Sequence, residues 1–159
     1  MQLARAIHLD ESDQRVFASP ARTGEWCISG GFEFSNWGEA DLVGKPRQAF
    51  ANGWMGLETA GRATFVAVTQ IEPDEIARLT DMLAQHFVDV YGAPDRDAAR
   101  PVAAEELTQM QALCADHPTN TLLTLARELT SSGVKESYRI IEPPEADLTQ
   151  FAIHADMNS

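Results

Sequence analysis

The sequence predicts an α+β fold, a largely antiparallel sheet with two main helices packed on one face, and three features carry that expectation. Apolar residues recur at three- and four-residue spacing through Ile76, Leu79, Leu83, Phe87 and Val90, and again through Leu107, Met110, Leu113 and Cys114. Residues 63–71 form a branched and apolar run that Pro73 ends, as a strand would be ended. Residues 121–141 read as two strands joined by the short turn Ser131-Ser132-Gly133. Each helix has a single apolar face, so one sheet surface suffices to cover both.

Taken in order, residues 3–9 alternate imperfectly, meet the polar turn Asp10-Glu11-Ser12-Asp13 and continue into Arg15-Val16-Phe17, which predicts an N-terminal hairpin. Residues 25–34 read as one strand bent at Gly30-Gly31. A short helix fits 46–52, with Pro46 in its first turn and Gly53 at its end. The helix over 73–91 opens on Pro73, Asp74 and Glu75 and stops at Gly92. A second helix is predicted from Pro101 to about residue 116, ahead of His117-Pro118. Residues 121–129 also satisfy a helical face, and strand is chosen because 134–141 alternate so regularly after the turn. That hairpin lets Arg127 or Arg139 meet Glu136 or Glu128 across the strands. The tail over 143–159 is expected to be extended, with Leu148, Phe151 and Ile153 free to dock. No internal repeat or low-complexity linker interrupts the chain, so 1–159 reads as a single domain.

With 159 residues, 12 Lys plus Arg and 24 Asp plus Glu, the chain carries a formal charge of −12. The acidity is concentrated in 72–116, where ten acidic residues face three basic ones. Nucleic-acid binding draws on Lys and Arg that displace counterions, so no nucleic-acid partner is expected, and anionic membranes are disfavoured for the same reason. No stretch has the roughly 18 uncharged apolar residues of a membrane span, and no secretory leader opens the chain, so a cytoplasmic location is expected. Cys27 and Cys114 stand alone and read as small buried hydrophobes. The histidines at 8, 86, 117 and 154 lack the spacing of a zinc site, and phosphate-loop and nucleophile-elbow motifs are absent. No metal, cofactor or catalytic residue is therefore assigned.

Residues 26–62 stand out because Trp26, Phe32, Phe34, Trp37, Phe50 and Trp54 supply six of the 12 aromatic residues. Lys45, one of two lysines, lies there beside Arg47. Pro46 would set both cations at the start of a short helix, where unpaired N–H groups favour an anion. Lys45, Arg47, Trp37, Trp54 and Phe50 are thus the candidate ligand- or partner-binding residues. The alternative is that the aromatics fill the core while the cations neutralise Glu39, Asp41 or Glu58.

Gly24-Glu25-Trp26, the run Gly44-Lys45-Pro46-Arg47-Gln48-Ala49-Phe50 with Gly53 and Gly56, and Arg127-Glu128 with Gly133-Val134, Glu136 and Arg139 resemble a family of short proteobacterial proteins catalogued only as a domain of unknown function. The resemblance spans most of the chain and carries no catalytic residue over. It implies relatives encoded among accessory genes for molybdenum-dependent formate dehydrogenases, and so an assembly or regulatory role, with redox-enzyme assembly machinery as a partner. The functional expectation is a non-enzymatic accessory or binding protein acting through protein–protein contact, with a hairpin edge that invites a homodimer. The alternative is an enzyme or sensor for a small carboxylate or phosphate, in which Lys45 and Arg47 clamp the anion and His86 or an acidic side chain exchanges protons. A closed cavity joining Lys45 or Arg47 to His86 would favour that alternative.

Overall fold

A computed structural model describes residues 1–8 and 16–141. Among these, seven strands form one antiparallel sheet: β1 (Gln2–Ile7), β2 (Trp26–Ile28), β3 (Trp54–Gly56), β4 (Arg62–Ala63), β5 (Phe65–Gln70), β6 (Leu122–Thr130) and β7 (Gly133–Ile141). Their spatial order is β4-β3-β2-β1-β5-β6-β7. The helices are α1 (Gly44–Asn52), α2 (Pro73–Tyr91) and α3 (Arg96–Ala115), with single 3-10 turns at Gly31–Phe34 and Glu39–Asp41. This is the predicted α+β architecture: α2 and α3 pack together, α3 lies over β1 and β2, and α1 rests on β6.

Register explains the core. Ala6 pairs with Val66 and Val66 with Leu123, while Ala4 pairs with both Val68 and Cys27. Cross-strand partners share a face, and all of these side chains are buried. Leu79 and Leu83 of α2 and Ala103, Leu107 and Met110 of α3 join the same cluster, each large side chain contributing about 1.5–3 kcal/mol on burial. Leu3, on the opposite face of β1 from Ala4, is also fully buried. The sheet must therefore cover β1 on both sides.

It does so by curling. β4 and β5 are separated in the chain by Thr64 alone, yet three strands stand between them in the sheet. Flat, that would be four spacings of about 4.8 Å, roughly 19 Å, whereas residues 63 and 65 can be at most about 7 Å apart. The sheet therefore rolls toward closure. Trp54 of β3 and Tyr138 of β7 stack with centroids 5.8 Å apart although four strands lie between theirs.

Several elements differ from expectation. In place of an N-terminal hairpin, β1 takes β2 and β5 as neighbours, six residues of β5 offering it a longer ladder; the expected turn falls in 9–15, outside the described residues. The strand expected over 25–34 ends at Ile28, because Gly30 adopts φ 71° and turns the chain into the 3-10 segment. The strand expected over 63–71 divides at Thr64 into β4 and β5. The second long helix begins five residues before Pro101: Asp95 caps it, its carboxylate accepting from the Ala98 N–H at 2.7 Å. The α1, α2, β6 and β7 assignments stand, including strand over helix for 122–130. The expected extended tail at 143–159, with Leu148, Phe151 and Ile153, lies outside the described residues.

Candidate functional site

α1 carries the two cations outward. Lys45 and Arg47 are both exposed, and among the described residues neither forms an ion pair within 4.0 Å. Positions two apart on a helix do not share a face, and the structure separates the pair accordingly. Lys45 borders a cleft of ≈ 260 Å³ together with Trp37, Pro46 and Ala49, whereas Arg47 is not part of its lining. Phe17, buried, forms another wall. Arg62 and Glu33 also line it: Arg62 is 4% exposed and bonds Glu33 at 2.6 Å. The deep part of the cleft is thus charge-compensated, and Lys45 at its mouth is not.

The expected aromatic surface is mostly interior. Trp54 is fully buried and Phe50 3% exposed, so neither offers a ligand any surface. Trp26 is buried beneath the Arg5 guanidinium, 4.0 Å from its ring. Trp37 alone of the three indoles is half-buried, edge-on to Phe34 with centroids 4.7 Å apart. The indoles at 26 and 54 fill the core, while the cations stay outside it and pair within 4.0 Å with none of Glu39, Asp41 and Glu58.

Two buried arginines, Arg127 and Arg62, organise the region beneath, and of these Arg62 is unremarked in the sequence. Arg127 Nε donates to Glu136 at 2.6 Å, realising the cross-strand pair expected of the hairpin, though buried rather than exposed. Its Nη1 donates to the carbonyls of Ala49, Phe50 and Gly53, and its Nη2 to that of Ser29. Arg127 therefore caps the C-terminal end of α1, where carbonyls lack intrahelical donors. Arg62 donates to the carbonyls of Gly53 and Gly30 at 3.1 and 3.2 Å. The two guanidinium carbons lie 4.7 and 5.0 Å from the Phe34 ring centre, within cation–π range. Burial lowers the pKa of Arg127, opposed by the Glu136 charge. Because Arg62 is on β4 and Arg127, on β6, holds Glu136 of β7, this cluster ties the two ends of the curled sheet. Gly30 sits inside it, and a Cβ there would lie 2.9 Å from Arg62 Nη1 and closer still to Met55.

Other groups with chemistry are dispersed. A second cleft of ≈ 290 Å³ is bordered by Glu106 and Glu136, and burial, with the Glu136 charge, raises the Glu106 pKa. His86 packs edge-on to Tyr91, and burial lowers its pKa; it does not border the Lys45 cleft. Cys114 is buried and pushed up to about 12 by desolvation, as expected of an inert thiol. Among the described residues no group of three or more His, Cys, Asp or Glu could hold a metal ion, and no helix is long and apolar enough to cross a membrane.

In comparisons with known proteins, a family model described as a family of unknown function matches residues 1–159. No curated protein and no solved structure matches the chain.

Proposed function

The chain belongs to that family of unknown function, DUF6505, and from its own surface we propose that it is a non-enzymatic, cytoplasmic accessory protein that holds a protein partner on the face around Lys45. The carrying observation is the pair of exposed cations on α1, unpaired among the described residues of a chain whose formal charge is −12. A cation that its own molecule leaves uncompensated is available to an anionic partner. A closed cavity joining Lys45 or Arg47 to His86 would favour the metabolite reading; His86 does not border the cleft at Lys45, although the acidic Glu33 does.

Redox-enzyme assembly machinery is the partner class this reading adopts, from the sequence resemblance. A homodimer is part of the same reading: among the described residues β7 is the last strand of the sheet, with Tyr138 and Ile140 exposed on it, and a strand edge that those residues leave unpaired invites a second. The test is capture from native cytoplasm followed by mass spectrometry, with the wild-type chain and with Lys45→Glu plus Arg47→Glu as baits, circular dichroism verifying that both are folded. A partner retained by the wild type and reduced at least tenfold with the double variant is expected. An unchanged set of captured proteins overturns the reading.

A further inference from the structure

We propose that the partner presents an acidic peptide segment that inserts one bulky apolar side chain into the cleft between α1 and Trp37 and rests its neighbouring carboxylate on Lys45. This rests on the partner-binding reading and adds the chemistry of what is bound.

At ≈ 260 Å³ the cleft has room for one ring or branched chain, a unit in which a peptide projects its side chains. Its walls are apolar: Phe17, Trp37, Pro46, Ala49 and Ala60 present carbon to it. An aromatic anchor against an indole and a proline gains from both burial and ring contact.

Charge then orients the occupant. The Arg62 guanidinium is satisfied by Glu33 and by the carbonyls of Gly53 and Gly30. A carboxylate driven to that depth would displace bonds already made and meet Glu33, at the cost of its own hydration. At the mouth the situation reverses, because Lys45 is exposed and has no ion pair among the described residues. The apolar group therefore goes in and the carboxylate stays at the rim. The Asp41 carboxylate accepts from the Gly38 N–H at 2.9 Å and forms no ion pair with Lys45 within 4.0 Å. The overall charge of −12 does not forbid this contact, since charges more than about 8 Å away are largely screened at physiological ionic strength.

Four probes test it: the hexapeptides acetyl-GGFEEG-amide, acetyl-GGSEEG-amide and acetyl-GGFQQG-amide, and free phenylacetate. Each is titrated into 15N-labelled full-length protein while the indole N–H of Trp37 is followed, assigned with Trp37→Phe. The expected result is saturable movement of that resonance by the first peptide, with at least tenfold weaker binding of the second and third and of phenylacetate. Lys45→Glu should reduce the first peptide to the level of the third. Ala49→Leu, which fills the cleft from a helical position that tolerates leucine, should reduce it to the level of the second. Equal binding of all three peptides, or no movement of Trp37 by any of them, overturns the inserted-side-chain proposal. Phenylacetate binding as tightly as the first peptide overturns the peptide occupant in favour of a free carboxylate. If the cellular partner is lost with the Lys45 and Arg47 double variant yet survives Ala49→Leu, the insertion fails while the partner-binding reading stands; if it survives both, both fail.

Discussion

Arg127 shows how one side chain can matter more than its visible pairing suggests. In register it faces Glu136, and an exposed pair of that kind would contribute a few tenths of a kcal/mol to about 1 kcal/mol. Burial changes the balance: the guanidinium is 6% exposed and also satisfies carbonyls from α1 and from the end of β2. Replacing Arg127 with Met removes one donor from each of those carbonyls, of which Gly53 keeps Arg62 and Ala49 keeps the Gly53 N–H, and leaves Glu136 with the Tyr138 hydroxyl but without its arginine. Breaking a buried pair in this way costs about 3–5 kcal/mol. Glu136→Gln, which keeps every carbonyl contact of Arg127, should cost less, about 1–3 kcal/mol. Urea denaturation of the two variants measures the difference. Equal, small losses would mean that the arginine does not tie the sheet ends. Nothing in the sequence marks Arg127 or Arg62 for this role, because most of their acceptors are backbone carbonyls, and those of Arg127 lie between 74 and 98 residues away in the chain. Side-chain patterns cannot encode that relation.

At the scale of elements, legibility followed the strength of local punctuation. α2 was readable at both ends because Pro73 suits a first helical position and Gly92 takes the left-handed conformation, φ 77°, that closes the helix. β6 and β7 were readable because two runs with alternating side chains flank a short turn, and in β6 that alternation follows a buried and a solvated face. α3 misled because Pro101 looks like a first-turn proline and is in fact the sixth helical residue. Its ring removes the bond to the Asp97 carbonyl, a defect outweighed by the Asp95 cap and by the burial of Ala99, Ala103 and Leu107. Two opposite shifts are expected in thermal unfolding. Asp95→Ala should destabilise by about 1 kcal/mol, and Pro101→Ala, at an exposed position, should stabilise by up to about 3 kcal/mol. A destabilising Pro101→Ala would show that the ring is needed where it stands. The 3-10 turn after β2 was missed because Gly30-Gly31 signals a bend but not the conformation the chain takes beyond it.

The whole molecule is a rolled antiparallel sheet backed by α2 and α3, with α1 near the place where its two ends are drawn together. That closure fixes the position of the candidate site. Arg127 holds the end of α1, Arg62 lies within the cleft, and Lys45 is thereby carried on a rigid element. The cations were legible as candidates from their rarity beside a tryptophan-rich stretch. The separation of Lys45 from Arg47, and the withdrawal of Trp54 and Phe50 into the interior, depend on which side of α1 meets β6, and a nine-residue helix of modest apolar asymmetry does not announce that side.

Photo-crosslinking tests the partner-binding face most directly. p-Benzoylphenylalanine placed at Gln48, exposed on α1 beside Arg47, is compared with the same probe at Val102, 55% exposed on α3, in cells of the source organism. A discrete crosslinked protein from position 48 that is absent from position 102 is the expected result. The same products from both positions, or none from position 48, would contradict the partner-binding face.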